Sequence, residues 1–382
     1  MTRRRLVIEG WRFLHHSYAI VAQSHCLCLL ARDDVELRFT DLPYYRDTWR
    51  KTRGVFAPAE EDTLAALRAP EPEFAAEATF TLRPESPDFS SPRSGRRFSF
   101  GTAEFRVLEE KNRSGLASGA QVPESVSIVA PSHWPALAYE RFGLPRERIH
   151  VVPHGIDPRL HRPDPEARQT ARHALGLQDA FVYLFAGAMT MNKGTDLLLQ
   201  AFARVAETEP SARLFLKGAD ALYPSRDIVK EVLGHLPARA RETVASRLVY
   251  HGETYSSRMM ANLLRAADVY VSPYRAEGFN MPVLEAAACG VPVICTAGGP
   301  TDEFTQESFA WRIRSTPSRM QLSPTQFGDY LEPDPDHLVE LMRQAANGRD
   351  GAPRMGAAGA AYVAENFTWE RVTDRLVESL FA

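Results

Sequence analysis

Short apolar runs punctuate the second half of the chain at Phe181–Ala186, Arg213–Lys217, Leu248–His251, Val269–Ser272 and Val291–Cys295. Between them lie stretches with helical spacing. Thr195–Ala206 brings Leu197, Leu198, Ala201, Phe202 and Val205 to one face, and Arg258–Ala267 is similar. Strand-then-helix alternation with short Gly-rich turns is the pattern of a parallel, doubly wound sheet. Such sheets bind ligands at the carboxyl ends of their strands, where the unusual residues of this chain collect.

The first half is less regular. A strand is expected at Arg5 to Glu9, a loop from Gly10 to Ser17, a helix over Tyr18 to Leu30 and a strand over Val35 to Thr40, ending in the aromatic and charged loop Asp41 to Arg50. Arg68 to Arg97, rich in Pro, Glu and Ser, reads as loops around one short strand, Ala78 to Leu82. Further on, Val126 to Ala130 reads as a strand, Trp134 to Arg141 as a helix, and His150 to Asp157 as a strand closing in a Pro/Gly turn. Pro158 to Pro165 carries three prolines and reads as a linker. The expected organisation is an N-terminal domain over 1–157, a second domain over 158–364, and a C-terminal segment, 365–382, whose amphipathic helix from Trp369 packs back on the first domain.

A length of 382 residues suits two domains, and 44% hydrophobic with 24% charged residues lets each bury a core. A formal charge of −3 argues against a nucleic-acid partner. Met1 to Arg5 has the charge of a signal-peptide start, but the apolar run behind it, Leu6 to Ile8, is far too short and no cleavage site follows. No stretch approaches 18 apolar residues, so no membrane span is expected. The four cysteines, Cys26, Cys28, Cys289 and Cys295, lack disulfide-framework or zinc-ligand spacing and read as buried thiols of a reducing compartment. The sequons at Asn112 and Asn366 would matter only in a secreted protein.

The densest motif runs Ser272-Pro-Tyr-Arg-Ala-Glu277-Gly-Phe-Asn-Met-Pro282-Val-Leu-Glu285, and Gly290 follows. A strand ends at Ser272, a loop carries Glu277 and Gly278, and a helix starts near Pro282, with Gly290 where a C-terminal cap belongs. Backbone N–H groups from Phe279 to Val283 then point out of the helix start and suit a diphosphate or sugar hydroxyls. Glu277 and Glu285 around that site suit vicinal hydroxyls. Taken alone, each reads first as an ordinary helix N-terminal acid stabilised by the dipole, and it is the combined loop that points to a ligand. A second motif, Phe181 through Gly187 to Lys193-Gly194-Thr195-Asp196, repeats the strand, loop and helix start. Lys193 adds a point charge beside the amino end of that helix, although a solvated surface lysine reads the same way. The motif is neither a Walker A loop nor a Gly-x-Gly-x-x-Gly fingerprint.

Together Glu277-x7-Glu285, Gly187 with Lys193-Gly194, and Pro153-His-Gly-Ile-Asp157 resemble the retaining GT-B glycosyltransferases of family four. The likeness is strong over residues 125–300, fair beyond, and weak before residue 120. It implies two Rossmann-like doubly wound α/β domains facing across a cleft, with a nucleotide-diphosphate sugar held mainly by the second. By that likeness Glu277 contacts the donor sugar and Lys193 the diphosphate. Gly187 and the amides of Gly278, Phe279, Asn280 and Met281 line sugar and diphosphate, Glu285 binds the ribose, and Thr254, in Gly252-Glu-Thr-Tyr255, lies near the base. The implied reaction moves a hexose-type sugar to a hydroxyl acceptor with retention, the leaving phosphate helping to deprotonate the acceptor.

The chain departs from the family pattern in two places. Ala188 stands where many relatives carry an arginine, with Arg275 or Lys217 as candidate substitutes. The loop after the first strand reads Arg12-Phe-Leu-His15-His16-Ser17 in place of a glycine-rich turn, which makes His15, His16 and Ser17 candidates for the acceptor or phosphate side, with Thr102 and Glu104 also candidates. No cofactor and no metal is expected, since Asp334-Pro-Asp336 reads as a helix-capping segment. The donor's base and the acceptor (glycan, lipid-linked or small molecule) are left open, and a cytoplasmic location is expected, with peripheral membrane contact left open. Two rival readings are a sugar-nucleotide epimerase and an inactive GT-B-fold binding protein.

Overall fold

Leu6, Val7 and Ile8 form a continuous apolar run, which is the pattern of a strand covered on both faces. In the computed structural model, which describes residues 3–83, 87–348 and 351–382, all three are buried at the centre of β1 (Arg4–Gly10). Met1 and Thr2, and residues 84–86 of the Pro/Ser-rich segment, lie outside the described residues.

Two units are distinguished: residues 1–155 with 319–329 and 369–382, and residues 156–318 with 330–368. In the first, β1 is followed by α1 (Ser17–Leu30), β2 (Val35–Asp41), α2 (Pro58–Ala65), β3 (Ala78–Thr81), β4 (Arg96–Phe100), β5 (Val126–Ala130), α3 (His133–Phe142) and β6 (Ile149–Val151). The strands form one parallel sheet in the order β2-β1-β3-β4-β5-β6. β4 falls partly in a stretch expected to be loop. Its buried Arg97 breaks the apolar pattern, and is held there by Glu9 at 2.7 Å, Asp88 at 3.0 Å and the Thr81 hydroxyl at 2.6 Å.

The second unit contains α4 (Pro165–Ala174), β7 (Phe181–Ala186), α5 (Thr195–Ala206), β8 (Ala212–Lys217), α6 (Ser225–His235), α7 (Ala238–Ala245), β9 (Leu248–His251), α8 (Ser257–Ala266), β10 (Val269–Ser272), α9 (Met281–Ala288), β11 (Val293–Thr296) and β12 (Ala310–Ile313). A hairpin, β13 (Ser315–Ser323) and β14 (Gln326–Pro333), comes next, then α10 (Pro335–Asn347) and α11 (Ala352–Asn366). The outer part of the hairpin, residues 319–329, counts with the first unit. Part of the expected linker is instead an entry into helix: Asp164 caps α4, its Oδ1 accepting from the Ala167 amide at 2.9 Å, and Pro165 opens the first turn. Asp334 likewise caps α10, Oδ1 accepting from the Asp336 and His337 amides at 3.0 Å each.

The second sheet is also parallel, in the order β12-β11-β10-β7-β8-β9. From β7 the chain builds outward through β8 and β9, then returns to add β10 on the other flank of β7. The direction of winding reverses between β7 and β10, so a crevice is expected at the carboxyl ends of those two strands. Leu198, Phe202 and Val205 of α5 are fully buried in the core beneath it, with Tyr183, Leu214 and Val271. The last helix, α12 (Trp369–Phe381), belongs to the first unit. It meets α1 through Thr373, whose hydroxyl is 2.9 Å from His25 Nδ1, and burial lowers the His25 pKa to about 3, keeping the ring neutral.

None of the four cysteines is in a disulfide, and Cys28 is half-buried where burial was expected. Among the described residues no helix is long and apolar enough to cross a membrane. Truncating the central core ring, Phe202→Ala, is expected to cost about 3–5 kcal/mol, read as a lower denaturant midpoint with an unchanged slope.

Candidate active site

The loop after β7 runs from Gly187 through a 3₁₀ turn, Met191–Lys193, to Gly194, where α5 begins. The loop after β10 runs from Pro273 to Asn280, where α9 begins. The two loops are locked together. Gly194 has φ 72°, and a Cβ there would stand 1.9 Å from the Pro273 carbonyl oxygen, so only glycine permits this approach. The Asn192 carbonyl accepts from the amides of Arg275 at 2.7 Å and Ala276 at 3.1 Å, and its side-chain amide donates back to the Ala276 carbonyl at 3.2 Å.

The lock brings Lys193 and Glu277 together. Lys193 Nζ lies 2.7 Å from Glu277 Oε2, both side chains largely buried at 19% and 11% exposure. In so sheltered a place a charge is held only with a partner. Asn280 takes a left-handed conformation, φ 78°, which asparagine tolerates, and its side-chain amide donates to the Ser272 hydroxyl at 2.9 Å. That bond sets the direction in which α9 leaves the strand. Phe279 stacks on Phe304 at 4.6 Å, which fixes the loop from the other side. Glu285 lies further along α9, its Oε1 4.0 Å from Nε2 of buried His161. Gly290, φ 79°, follows the helix end.

The structure thus gathers Gly187, Lys193, Glu277, Gly278, Phe279, Asn280 and Met281 at the β7/β10 edge, with Glu285 on the helix behind. Other candidates lie apart or are engaged elsewhere. Arg275 gives a two-pronged bond to Asp196, Nη1 at 2.7 Å and Nη2 at 2.9 Å, and reaches Glu332 at 3.1 Å. As a substitute phosphate cation it has a physical obstacle, because two carboxylates already take up its charge. Thr254 is exposed in the loop after β9, beyond β8. Lys217 ends β8 beside Ala186, its Nζ donating to the Gly218 carbonyl at 2.5 Å and lying 4.8 Å from the Tyr255 ring centre. Burial lowers its pKa to about 8.

His15, His16 and Ser17 belong to the first unit. His16 caps α1, Nδ1 accepting from the Tyr18 amide at 3.2 Å, and its ring packs edge-on to Trp11 at 5.2 Å and against Trp49 at 5.5 Å. His15 is half-buried and Ser17 exposed. Thr102 meets the Tyr18 hydroxyl at 3.0 Å, and the Glu104 carbonyl accepts from the Trp134 indole at 2.7 Å. Sequence reasoning missed Asn192 and Asp196, which position the loops. Their signal was placement on either side of Lys193-Gly194 in a strand-end loop.

Two outcomes are expected from this geometry. Gly194→Ala should cost about 1–3 kcal/mol from the left-handed backbone alone, the clash with Pro273 adding to it, as measured by the denaturant midpoint. For Lys217, folding lowers the pKa from 10.5 to about 8, so the unfolded chain holds more protons between those values and stability rises with pH across that window. Lys217→Met should remove that rise and be more stable than the parent below pH 8, compared by denaturant midpoints at pH 7 and 10.

Residues 180–313, which contain both loops, match the family model of the group 1 glycosyl transferases. The chain is 33% identical over 161 residues to mannosylfructose-phosphate synthase of Agrobacterium fabrum, covering 42% of this chain and 35% of that protein. It is 36% identical over 163 residues to D-inositol 3-phosphate glycosyltransferase of Xylanimonas cellulosilytica, covering 41% and 37%. The chain thus spans little more than a third of the length of these two curated relatives. The fold is similar to that of Anabaena HepE, solved in complex with UDP and glucose, with a TM-score of 0.69, 14% identity and 99% of each chain covered. The fold is thus that of the GT-B glycosyltransferases, and the likeness to the group 1 glycosyl transferases is carried by residues 180–313.

Proposed function

We propose that this chain moves a hexose-type sugar from a nucleotide-diphosphate sugar to a hydroxyl acceptor, with retention and without a metal. The observation that carries the reading is the Lys193–Glu277 pair, 2.7 Å apart, at the point where the second sheet reverses its winding. In a ligand crevice of that kind a lysine beside a helix start suits a diphosphate, and a carboxylate beside it suits sugar hydroxyls. The names of the curated relatives, and the UDP bound by HepE, agree in direction.

In this reading Lys193 and the amides at the starts of α5 and α9 offset the negative charge that grows on the leaving diphosphate. Glu277 accepts from the donor sugar and also holds the ammonium in place. Glu285 takes the ribose hydroxyls. Preorganised donors aimed at developing charge are commonly the largest contribution to catalysis. The leaving phosphate oxygen takes the acceptor's proton on the same face, so no carboxylate needs to lie opposite the bond being broken. The acceptor is a hydroxyl compound met by the first unit, where His15, His16 and Ser17 lie.

A thermal-shift panel with UDP, GDP, ADP and dTDP tests the donor site. A ligand at 100 times its dissociation constant stabilises by about 2.7 kcal/mol, so one nucleotide should raise Tm by several degrees, and Lys193→Ala should abolish the shift. Glu277→Gln should lower turnover more than tenfold with the fold intact. No shift with any nucleotide at millimolar concentration would overturn the reading in favour of an inactive fold.

A further inference from the structure

The first unit holds a pocket of about 520 Å³ lined by Arg106, Val107, Arg141, Arg319, Phe327 and Asp329. Its charge is unbalanced, with three guanidinium groups around one carboxylate. Arg141 Nη1 donates to Asp329 Oδ2 at 2.6 Å, and Arg319 Nε lies 3.2 Å from Asp329 Oδ1. Both oxygens of the carboxylate are therefore engaged by these two arginines. Arg106 lies over the Trp134 ring, 4.2 Å from its centre, and its Nε is buried without a hydrogen-bond partner. Arg141 also donates to the Arg106 carbonyl at 3.2 Å, which gathers the cations into one patch. Burial, and then the charge of Arg141, lower the Arg106 pKa.

The backbone is arranged to hold this cluster. Arg106 has φ 55°, a conformation uncommon for a long side chain, and its amide donates to the Ala103 carbonyl at 2.9 Å. The hairpin tip is fastened alongside. The Asp329 amide donates to the Phe105 carbonyl at 2.8 Å, and Gln326 accepts from the Glu110 amide at 2.7 Å while donating to the Leu108 carbonyl at 3.2 Å. A Cβ on Gly328 would meet Phe105 Cβ at 2.8 Å, so close approach of the strand requires glycine. These contacts carry Arg319 to the other two arginines.

We propose that this pocket binds a phosphomonoester group, at a site distinct from the Lys193–Glu277 pair of the second unit. Three guanidinium charges less one carboxylate leave a surplus of two, against roughly −1.5 to −2 on a phosphomonoester at neutral pH. Guanidinium forks match phosphate oxygens in pairs, and the unpartnered Arg106 Nε supplies a donor already stripped of water. A surplus of like charge gathered around a pocket is stabilised when an anion enters it. A soluble phosphate ester and the headgroup of phosphatidic acid offer the same chemistry.

Isothermal titration of the full chain with glycerol 3-phosphate, at fixed ionic strength because salt screens exposed guanidinium groups, tests the site. A parallel arm measures co-sedimentation with phosphatidylcholine vesicles, with and without phosphatidic acid. The expected result is saturable binding of one phosphomonoester per chain, weakened at least tenfold by the double variant Arg141→Gln/Arg319→Gln. Both side chains are substantially exposed, at 47% and 70%, so the fold should survive. Binding confined to glycerol 3-phosphate identifies a soluble ester, and tighter binding to phosphatidic-acid vesicles identifies a headgroup. Absence of saturable binding in both arms, or equal binding by the double variant, overturns the proposal. The nucleotide thermal shift, read on the same variant, should be unchanged, which separates failure here from failure at the donor site.

Discussion

The second unit's crevice depends on Arg275. Its side chain is a buried cation between Asp196 and Glu332, and its backbone amide is bonded to Asn192. Removing one partner of a buried ion pair typically costs about 3–5 kcal/mol, because a charge is left uncompensated. The network therefore does more to fix one geometry than to add stability. Lys193 stands between Asn192 and Gly194, both held in the lock, and Glu277 follows Arg275 by two residues. The 2.7 Å contact between Lys193 and Glu277 is a consequence of where the two loops are fastened.

What was legible in the sequence follows from what sets each element. β7, β8, β9 and β10 could be read because their apolar runs are continuous, and α5 because a broad apolar face repeats at helical spacing. α4 has no buried residue, and apart from Pro165 its apolar side chains are alanines, too small to mark a face in a proline-rich stretch. It is tied to the sheet by Arg168 and Arg172, which reach Asp268 at 2.6 and 3.0 Å. α6 and α7 bury few side chains, and β13 buries none. Arg97 concealed β4, since a charge in mid-strand reads as solvent-facing until its partners, distant in sequence, are known.

The candidate site divides along the same line. Glu277, Lys193 and the start of α9 were visible because local motif and local geometry coincide there. Arg275 reads in the sequence as a candidate phosphate cation, and its bonds to Asp196, 79 residues away, and Glu332, 57 away, follow no local pattern. His16 reads in the sequence as a candidate for the acceptor or phosphate side. The structure gives it a capping bond and an aromatic setting around Trp11, which accounts for its type on packing grounds alone.

The two proposed anion sites, one in each unit, rest on opposite physical means. At the β7/β10 edge Lys193 is paired with a carboxylate, so attraction for an anion there rests on helix-start amides as much as on formal charge. Ala188 adds no cation, Arg275 is neutralised, and Lys217 is bonded to the Gly218 carbonyl with a pKa lowered to about 8. Binding built on amides is directional and little screened by salt. At the hairpin tip formal charge outweighs its own compensation, and two of the three arginines are open to solvent. Attraction of that kind reaches further but fades with ionic strength. The first arrangement suits a reacting group whose position must be fixed, and the second suits a charged handle whose position need only be caught.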